Sequence, residues 1–194
     1  IIDEAVCMGV RSGTVLSDRK FAGADVLATA YTLAQGVQKC GNFDLILCGK
    51  QTTDGDTAQV GPQIAEHLGI PQITYAAGLS YDNDTGVLTV KRQFEDRYQT
   101  LQVSGMCLVT MLRTMVKPRY MNVWDIVSQD EKEVGRITNE DLQLEKSVCG
   151  LSGSPTKVKA SFTKQLDKTV ETLELPAEEA AKTILAALQQ RHLI

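Results

Sequence analysis

Apolar residues recur along this chain in two periods, and up to about residue 116 the two alternate. Val15 and Leu16 form a short apolar run, broken by the polar punctuation Asp18-Arg19-Lys20-Phe21-Ala22-Gly23. Asp25 then stands where a helix cap belongs. Leu27, Ala30, Tyr31, Ala34 and Val37 fall at three- and four-residue steps, which predicts a helix to about residue 38. The run Phe43-Asp44-Leu45-Ile46-Leu47-Cys48-Gly49 follows, and its short apolar stretch closed by glycine predicts a strand covered on both faces of a parallel sheet. A polar loop leads to a predicted helix over 57–67, with Gly69 just past its end as a stop. Residues 70–75 open another strand. Asp82-Asn83-Asp84-Thr85-Gly86 reads as a turn, residues 87–92 alternate as an antiparallel ribbon, and 99–103 should pair with them. A further apolar strand runs from Met106 to Met111. Pro176 followed by a stripe of Ala177, Ala180, Ala181, Ile184, Leu185 and Leu188 predicts a C-terminal amphipathic helix.

Strands alternating with helices predict an α/β fold with a Rossmann-like, mainly parallel sheet over residues 1–116. Residues 117–175 are loosely patterned, and so many such residues inside one core would be unusual. Residues 117–194 are therefore expected to form an extended C-terminal arm packing on something else. Ile1, Asp3, Glu4, Ala5 and Val6 read as the middle of a helix with no cap before it, so a fragment is expected.

Composition narrows the function classes. The 194 residues are 43% hydrophobic and 23% charged, ordinary values for a folded domain. A net charge of −4 argues against a dedicated nucleic-acid binder, whose affinity comes from neutralised phosphates. Nothing approaches eighteen uninterrupted apolar residues, which excludes a membrane-spanning helix. Cys7, Cys40, Cys48, Cys107 and Cys149 are odd in number, far apart and without a CxxC pair; they read as thiols of a reducing compartment, and with no signal segment the expected address is cytoplasmic.

Most of the chemical information lies between Gly49 and Gly61. A strand ending in glycine, a polar loop and then a helix place unpaired amides and the positive end of a helix dipole at the carboxyl edge of a parallel sheet, which is an anion site. Gly55 and Gly61 permit close backbone approach, while Thr57 and Gln59 supply short donors. Asp54 and Asp56 repel a phosphate and would suit a ribose hydroxyl or a free amide; in the plainer reading Asp56 caps the helix and Asp54 shapes the turn. Known phosphate and metal motifs do not fit. Gly49-Lys50 lacks the first glycine of a P-loop and has Gln51 at its Ser/Thr position; there is no GxGxxG, and Asp54-Gly55-Asp56 has neither a magnesium phosphatase's setting nor an EF-hand's closing glutamate.

Elsewhere the signals are weaker. His67 and His192, the two histidines, read as solvated or helix-terminal residues and give no metal spacing. Lys91-Arg92 with Glu95-Asp96-Arg97 reads as a solvated ribbon face or as an anion or partner contact. Trp124, the sole tryptophan, stands in Arg119-Tyr120-Met121-Asn122-Val123-Trp124, a grouping that fits a partner anchor or core packing equally.

Four segments taken together resemble the electron transfer flavoprotein beta subunit in order and spacing: Asp18-Arg19-Lys20-Phe21-Ala22-Gly23-Ala24-Asp25, Asp54-Gly55-Asp56-Thr57-Ala58-Gln59-Val60-Gly61, Val90-Lys91-Arg92 and Lys117-Pro118-Arg119-Tyr120. The resemblance covers essentially the whole chain. Met106 departs from it, standing where that family's signature has proline. Family members open with a further strand-loop-helix portion, and its absence here implies that the 194-residue chain alone binds nucleotide weakly or not at all.

The resemblance implies an adenine nucleotide alpha hydrolase-like fold in which residues 1–116 bind nucleotide and 117–194 carry a partner-recognition loop and an arm embracing an alpha subunit. It implies a heterodimer whose alpha subunit holds FAD, and a beta site holding AMP or, in the electron-bifurcating branch, a second FAD that accepts hydride from NADH with ferredoxin among the acceptors. Small residues at Gly55, Thr57 and Ala58 leave room for the longer dinucleotide and resemble that branch. Carried over, Gly49, Asp54, Gly55, Asp56, Thr57, Ala58, Gln59, Val60 and Gly61 hold the cofactor. Tyr120, Val123 and Trp124 then dock an acyl-CoA or other flavin dehydrogenase. Such a chain is an electron-transfer subunit rather than a self-contained enzyme. The rival reading is a stand-alone nucleotide-binding regulatory or sensor module on the same fold.

Overall fold

Alternation along one strand organises the main core. Leu108 points to one face of a five-stranded sheet, against Ala30, Ala34, Ile64 and Ala65; Cys107 and Val109 point to the other, among Ile73, Ala76, Leu88 and Val90. The computed structural model that shows this describes residues 1–128, 134–161, 163 and 172–194. Parts of the predicted arm, at 129–133, 162 and 164–171, lie outside the described residues.

The elements are α1 (Ile2–Cys7), β1 (Gly13–Leu16), a 3-10 turn (Arg19–Phe21), α2 (Val26–Cys40), β2 (Leu45–Gly49), α3 (Val60–Leu68), β3 (Gln72–Asp82), β4 (Val87–Gln93), β5 (Tyr98–Ser104), β6 (Cys107–Met111), α4 (Val123–Val127), β7 (Val134–Ile137), α5 (Asn139–Leu142) and α6 (Ala177–Gln190). The larger sheet has the order β2-β6-β3-β4-β5. β6 runs parallel to both β2 and β3, in register Leu45 with Cys107 and Ile73 with Val109, while β3, β4 and β5 form an antiparallel meander. β1 and β7 make a separate parallel pair.

The α/β reading holds, the turn 82–86 joins β3 to β4, and the ribbon 87–92 pairs with 99–103 as expected. One expectation fails. The run 43–49 was expected to be buried on both faces, yet β2 ends the sheet and leaves Leu47 48% exposed. On one face Ile46 and Cys48 pack with the residues of α2 and α3, while on the other Leu47 stays open; β6, sandwiched between β2 and β3, is the doubly buried strand. Asp25 caps α2 as predicted, accepting the Ala28 amide at 3.1 Å. The buried positions are Ala28, Ala30, Thr32, Ala34 and Gly36, and Leu27 faces outward.

Two compact units divide the chain, Ile1–Lys157 and Val158–Ile194. Within the second, α6 carries the predicted stripe, with Ile184 and Leu185 exposed. Within the first, two carboxylates fasten residues 138–157 to the segment 18–25. Asp18 accepts the amides of Lys20 and Asn139 at 2.8 and 3.0 Å. Asp25 accepts the Thr156 amide and hydroxyl at 3.0 and 2.6 Å, and its own amide donates to the Ser154 hydroxyl at 2.7 Å. The fastening needs Gly150, whose φ is +56° and whose added Cβ would strike the Lys20 carbonyl.

The Lys20 and Asn139 amides hold the Asp18 carboxyl below its ordinary value. At Asp25 desolvation pushes upward, but the Thr156 hydroxyl and amide with the Ala28 and Leu27 amides outweigh it, and the net direction is down. Carboxyls lowered in the folded state contribute stability that is complete above their ordinary value of 3.8 and lost as pH falls through the lowered one. The variant Asp25→Ala should lose the cap, about 1 kcal/mol, and the Thr156 bonds at pH 7. Its deficit in thermal midpoint against the parent should shrink as pH is lowered below the ordinary carboxylate value. A deficit independent of pH would show that the charge has no part in the fastening.

Candidate functional site

β2 ends at Gly49, the loop 50–59 follows, and α3 begins only at Val60, three residues later than the sequence pattern predicts. The delay has a local cause: Asp56 and Ala58 take left-handed backbone, at φ of 51° and 55°. Asp56 therefore does not cap the helix; its carboxylate accepts a hydrogen bond from the Gln51 side-chain amide. Gln59 holds the cap position without a side-chain bond. Asp54 shapes the turn, accepting the Gly55 amide at 2.9 Å, with the Thr52 hydroxyl 3.3 Å from that same amide. The Thr52 hydroxyl, followed by the Asp54 and Gly55 amides, holds the Asp54 carboxyl low, so it is ionised at neutral pH.

The amides of Thr57, Ala58, Gln59 and Val60 have no hydrogen-bond partner among the described residues. They open to solvent at the positive end of α3, outside the carboxyl end of a parallel strand. Gly61 fixes this arrangement. A Cβ there would lie 2.6 Å from Thr110 Cγ2 and 3.6 Å from Cys48 Cβ, so α3 reaches the sheet only because position 61 has no side chain. Thr110 cannot swing aside at no cost: it is 2% exposed, and its hydroxyl accepts the Tyr75 amide at 3.1 Å. Burial pushes the Cys48 thiol up, keeping it neutral at pH 7. Gly49 faces open space.

A cavity of about 490 Å³ adjoins the start of the loop, lined by Lys50, Tyr75, Phe94, Asp96 and Leu112 among others. Lys50 follows β2 and Leu112 follows β6, so it opens at the same sheet edge. Tyr75 has φ of 60° where the pairing of β3 with β6 slips register, and its ring meets Phe94 edge-on at 6.4 Å. Sequence reasoning missed this cavity, because only the register irregularity in β3 brings Tyr75 opposite the ribbon's end. The ribbon's charges also divide. Arg92 donates to the Thr74 carbonyl and hydroxyl at 2.8 and 2.6 Å and covers the Phe94 ring, whereas Arg97 pairs with Asp96 in solvent at 3.3 Å. His67 packs edge-on against Tyr31 between α3 and α2.

Residues 1–142 match the electron transfer flavoprotein domain. The chain is 44% identical over 191 residues to the electron transfer flavoprotein subunit beta of Clostridium acetobutylicum, covering 98% of this chain and 73% of that protein. The chain belongs to the electron transfer flavoprotein beta-subunit family. Among its relatives in that family are the caffeyl-CoA reductase-Etf complex subunit CarD of Acetobacterium woodii, 37% identical over 195 residues spanning all of this chain and 74% of CarD, and the protein FixA of Rhizobium meliloti, 38% identical over 195 residues covering 95% and 67%.

A second surface carries the residues that this family resemblance marks for partners. Tyr120, Val123 and Trp124 are 99%, 72% and 80% exposed. Asn122 holds them on α1, its amide donating to the Cys7 carbonyl at 2.8 Å while its side chain caps α4 at the Trp124 amide. No helix among the described residues is long and apolar enough to cross a membrane, and no group of three or more metal-ligating side chains occurs among them.

The seat of α3 is open to test. Gly61→Val should overpack the contact with Thr110 and lower stability by about 1–3 kcal/mol in urea unfolding, whereas Gly49→Ala, which meets nothing, should shift it far less. Equal losses in the two variants would show that the close approach at Gly61 is not what positions the helix.

Proposed function

We propose that this chain is the nucleotide-holding subunit of a two-chain electron transfer flavoprotein. Paired with an alpha subunit, it takes electrons from an acyl-CoA or other flavin dehydrogenase and passes them to an acceptor. The observation that carries this reading is the row of four unpartnered amides from Thr57 to Val60 at the head of α3. Such a row is suited to the phosphates of an adenine nucleotide. The fit is chemical: the amides supply donors for phosphate oxygens, and the ionised Asp54 supplies an acceptor for a hydroxyl.

AMP at this site would be a structural element; a flavin would supply the ability to accept electrons singly or in pairs. The chain's own residues bind and orient. Gly61 sets the helix against the sheet, Gly55 and Ala58 keep the mouth clear of bulky side chains, and Tyr120, Val123 and Trp124 offer an apolar anchor to a dehydrogenase. The longer dinucleotide, with NADH oxidation and ferredoxin reduction in the bifurcating manner, is favoured by the small residues at 55, 57 and 58 and by the room beside Lys50. That one relative is named as a subunit of a caffeyl-CoA reductase-Etf complex supports working within a larger assembly. A cytoplasmic address fits these partners.

The deciding experiment is co-expression with an alpha subunit, followed by extraction and counting of cofactors. Two FAD per heterodimer mean the bifurcating form and one FAD with one AMP the ordinary carrier; a colourless homo-oligomer loaded with nucleotide overturns the proposal in favour of a sensor module. Gln59→Glu separates binding from folding, since a carboxylate at a helix start supports the helix yet repels phosphate. Its thermal midpoint in the heterodimer should hold or rise while affinity for AMP or FAD falls at least about tenfold, or 1.4 kcal/mol. Trp124→Ala should leave cofactor content unchanged and weaken dehydrogenase docking, read as a raised half-saturating concentration in electron-transfer assays.

A further inference from the structure

The segment 18–25 carries two cations that neither the fastening of residues 138–157 nor the nucleotide mouth uses. Arg19 and Lys20 sit on the 3-10 turn directly after β1, and Lys146 lies on the facing segment. The three line one cavity of about 410 Å³ together with Ala22, Leu144, Leu151, Ser152 and the buried Cys149. No carboxylate lines it, and none of the three cations forms an ion pair among the described residues. The acids nearest in sequence do not line the cavity: Asp18 accepts the Lys20 and Asn139 amides and its charge acts on Lys20, and Glu145 accepts from the Ser147 hydroxyl.

The frame around these cations is fixed. The Leu151 amide donates to the Ala22 carbonyl at 3.0 Å, the Cys149 thiol donates to the Glu145 carbonyl at 3.3 Å, and Gly150 lies directly against the Lys20 carbonyl. The cations on the two strips are therefore held around one space by backbone contacts that do not involve their side chains. Three like charges around one cavity repel one another, and an anion placed among them relieves that repulsion. The volume falls within the usual range for small-molecule sites, and it exceeds what a bare inorganic ion needs. Apolar lining beside three cations suits a molecule with a carbon body and a charged end.

We infer that the cavity between the 3-10 turn and residues 144–152 binds a phosphorylated small molecule of mononucleotide size, its phosphate at Arg19, Lys20 and Lys146 and its body on Leu144 and Leu151. This site is separate in sequence and in lining from the amides of 57–60, and it stands whether or not those amides hold a cofactor.

The test is an NMR titration of the isotopically labelled whole chain with inorganic pyrophosphate, AMP and adenosine. Saturable shifts of the Arg19, Lys20, Lys146 and Leu151 amides with pyrophosphate and AMP, weakening as salt rises, are expected. Adenosine should bind more weakly than AMP. The double variant Lys20→Glu, Lys146→Glu should lose about tenfold in affinity at these residues, as two screened charge contacts predict. It should keep the parent's circular dichroism and stay close to its thermal midpoint, because both side chains are exposed and the bonds that hold the frame, those of Asp18, Asp25 and the backbone at Ala22 and Leu151, do not use them. Shifts confined to residues 57–60, equal binding of adenosine and AMP, or unchanged affinity in the double variant overturns the inference. None of those results bears on the nucleotide mouth, which the heterodimer's cofactor count reports.

Discussion

Everything at the candidate nucleotide mouth depends on one short distance, the approach of α3 to β2 and β6 at Gly61. A methyl group at that position would meet the Thr110 methyl at 2.6 Å. Thr110 is locked twice over, by burial and by the Tyr75 amide on its hydroxyl. The contact therefore ties three things that sequence keeps far apart: the height of the helix over the sheet, the direction in which the amides of 57–60 face, and the strained backbone at Tyr75. Left-handed backbone at a residue with a side chain costs free energy, and such cost persists only where the surroundings over-determine it. Here the surroundings are a buried threonine and a register slip in β3.

A second constraint works through charge. Asp18 and Asp25 stand seven residues apart, one opening a 3-10 turn and the other capping α2, and each spends its remaining acceptor capacity on a segment more than a hundred residues away. Local caps of this kind are usually satisfied within their own turn. Using them twice lets a short polar motif hold residues 138–157 with little apolar burial beyond Cys149, which accounts for the loose patterning of that stretch.

Much of the scaffold was legible because its signals are local. Asp25 as a cap, the turn at 82–86 and the alternation of 87–92 each dictate structure within a few residues, and each appears where the pattern puts it. What failed is non-local. Whether the apolar run 43–49 is buried on one face or two depends on what packs over each face of the sheet, and α2 and α3 cover Ile46 and Cys48 while Leu47 on the other face stays open. The late start of α3 arises from positive φ at Asp56 and Ala58, which no side-chain preference announces for alanine. The cavity at Tyr75 and the tie from Arg92 to Thr74 need the β3 irregularity, which sequence does not mark.

The division of labour inside the mouth bears on what it can hold. Residues 54–56 contribute acceptors, and the Asp54 carboxyl is held ionised by donors of its own loop. The backbone amides of residues 57–60 contribute donors. A free phosphate placed there would gain the amides and meet a full negative charge close by in sequence, so the two halves of the loop would oppose one another. A nucleotide removes the conflict, since its phosphate oxygens accept and its ribose hydroxyls donate. A loop built for a bare anion would have no use for an ionised Asp54. Its presence beside four unpartnered amides is thus an argument for a ligand carrying both kinds of group along its length.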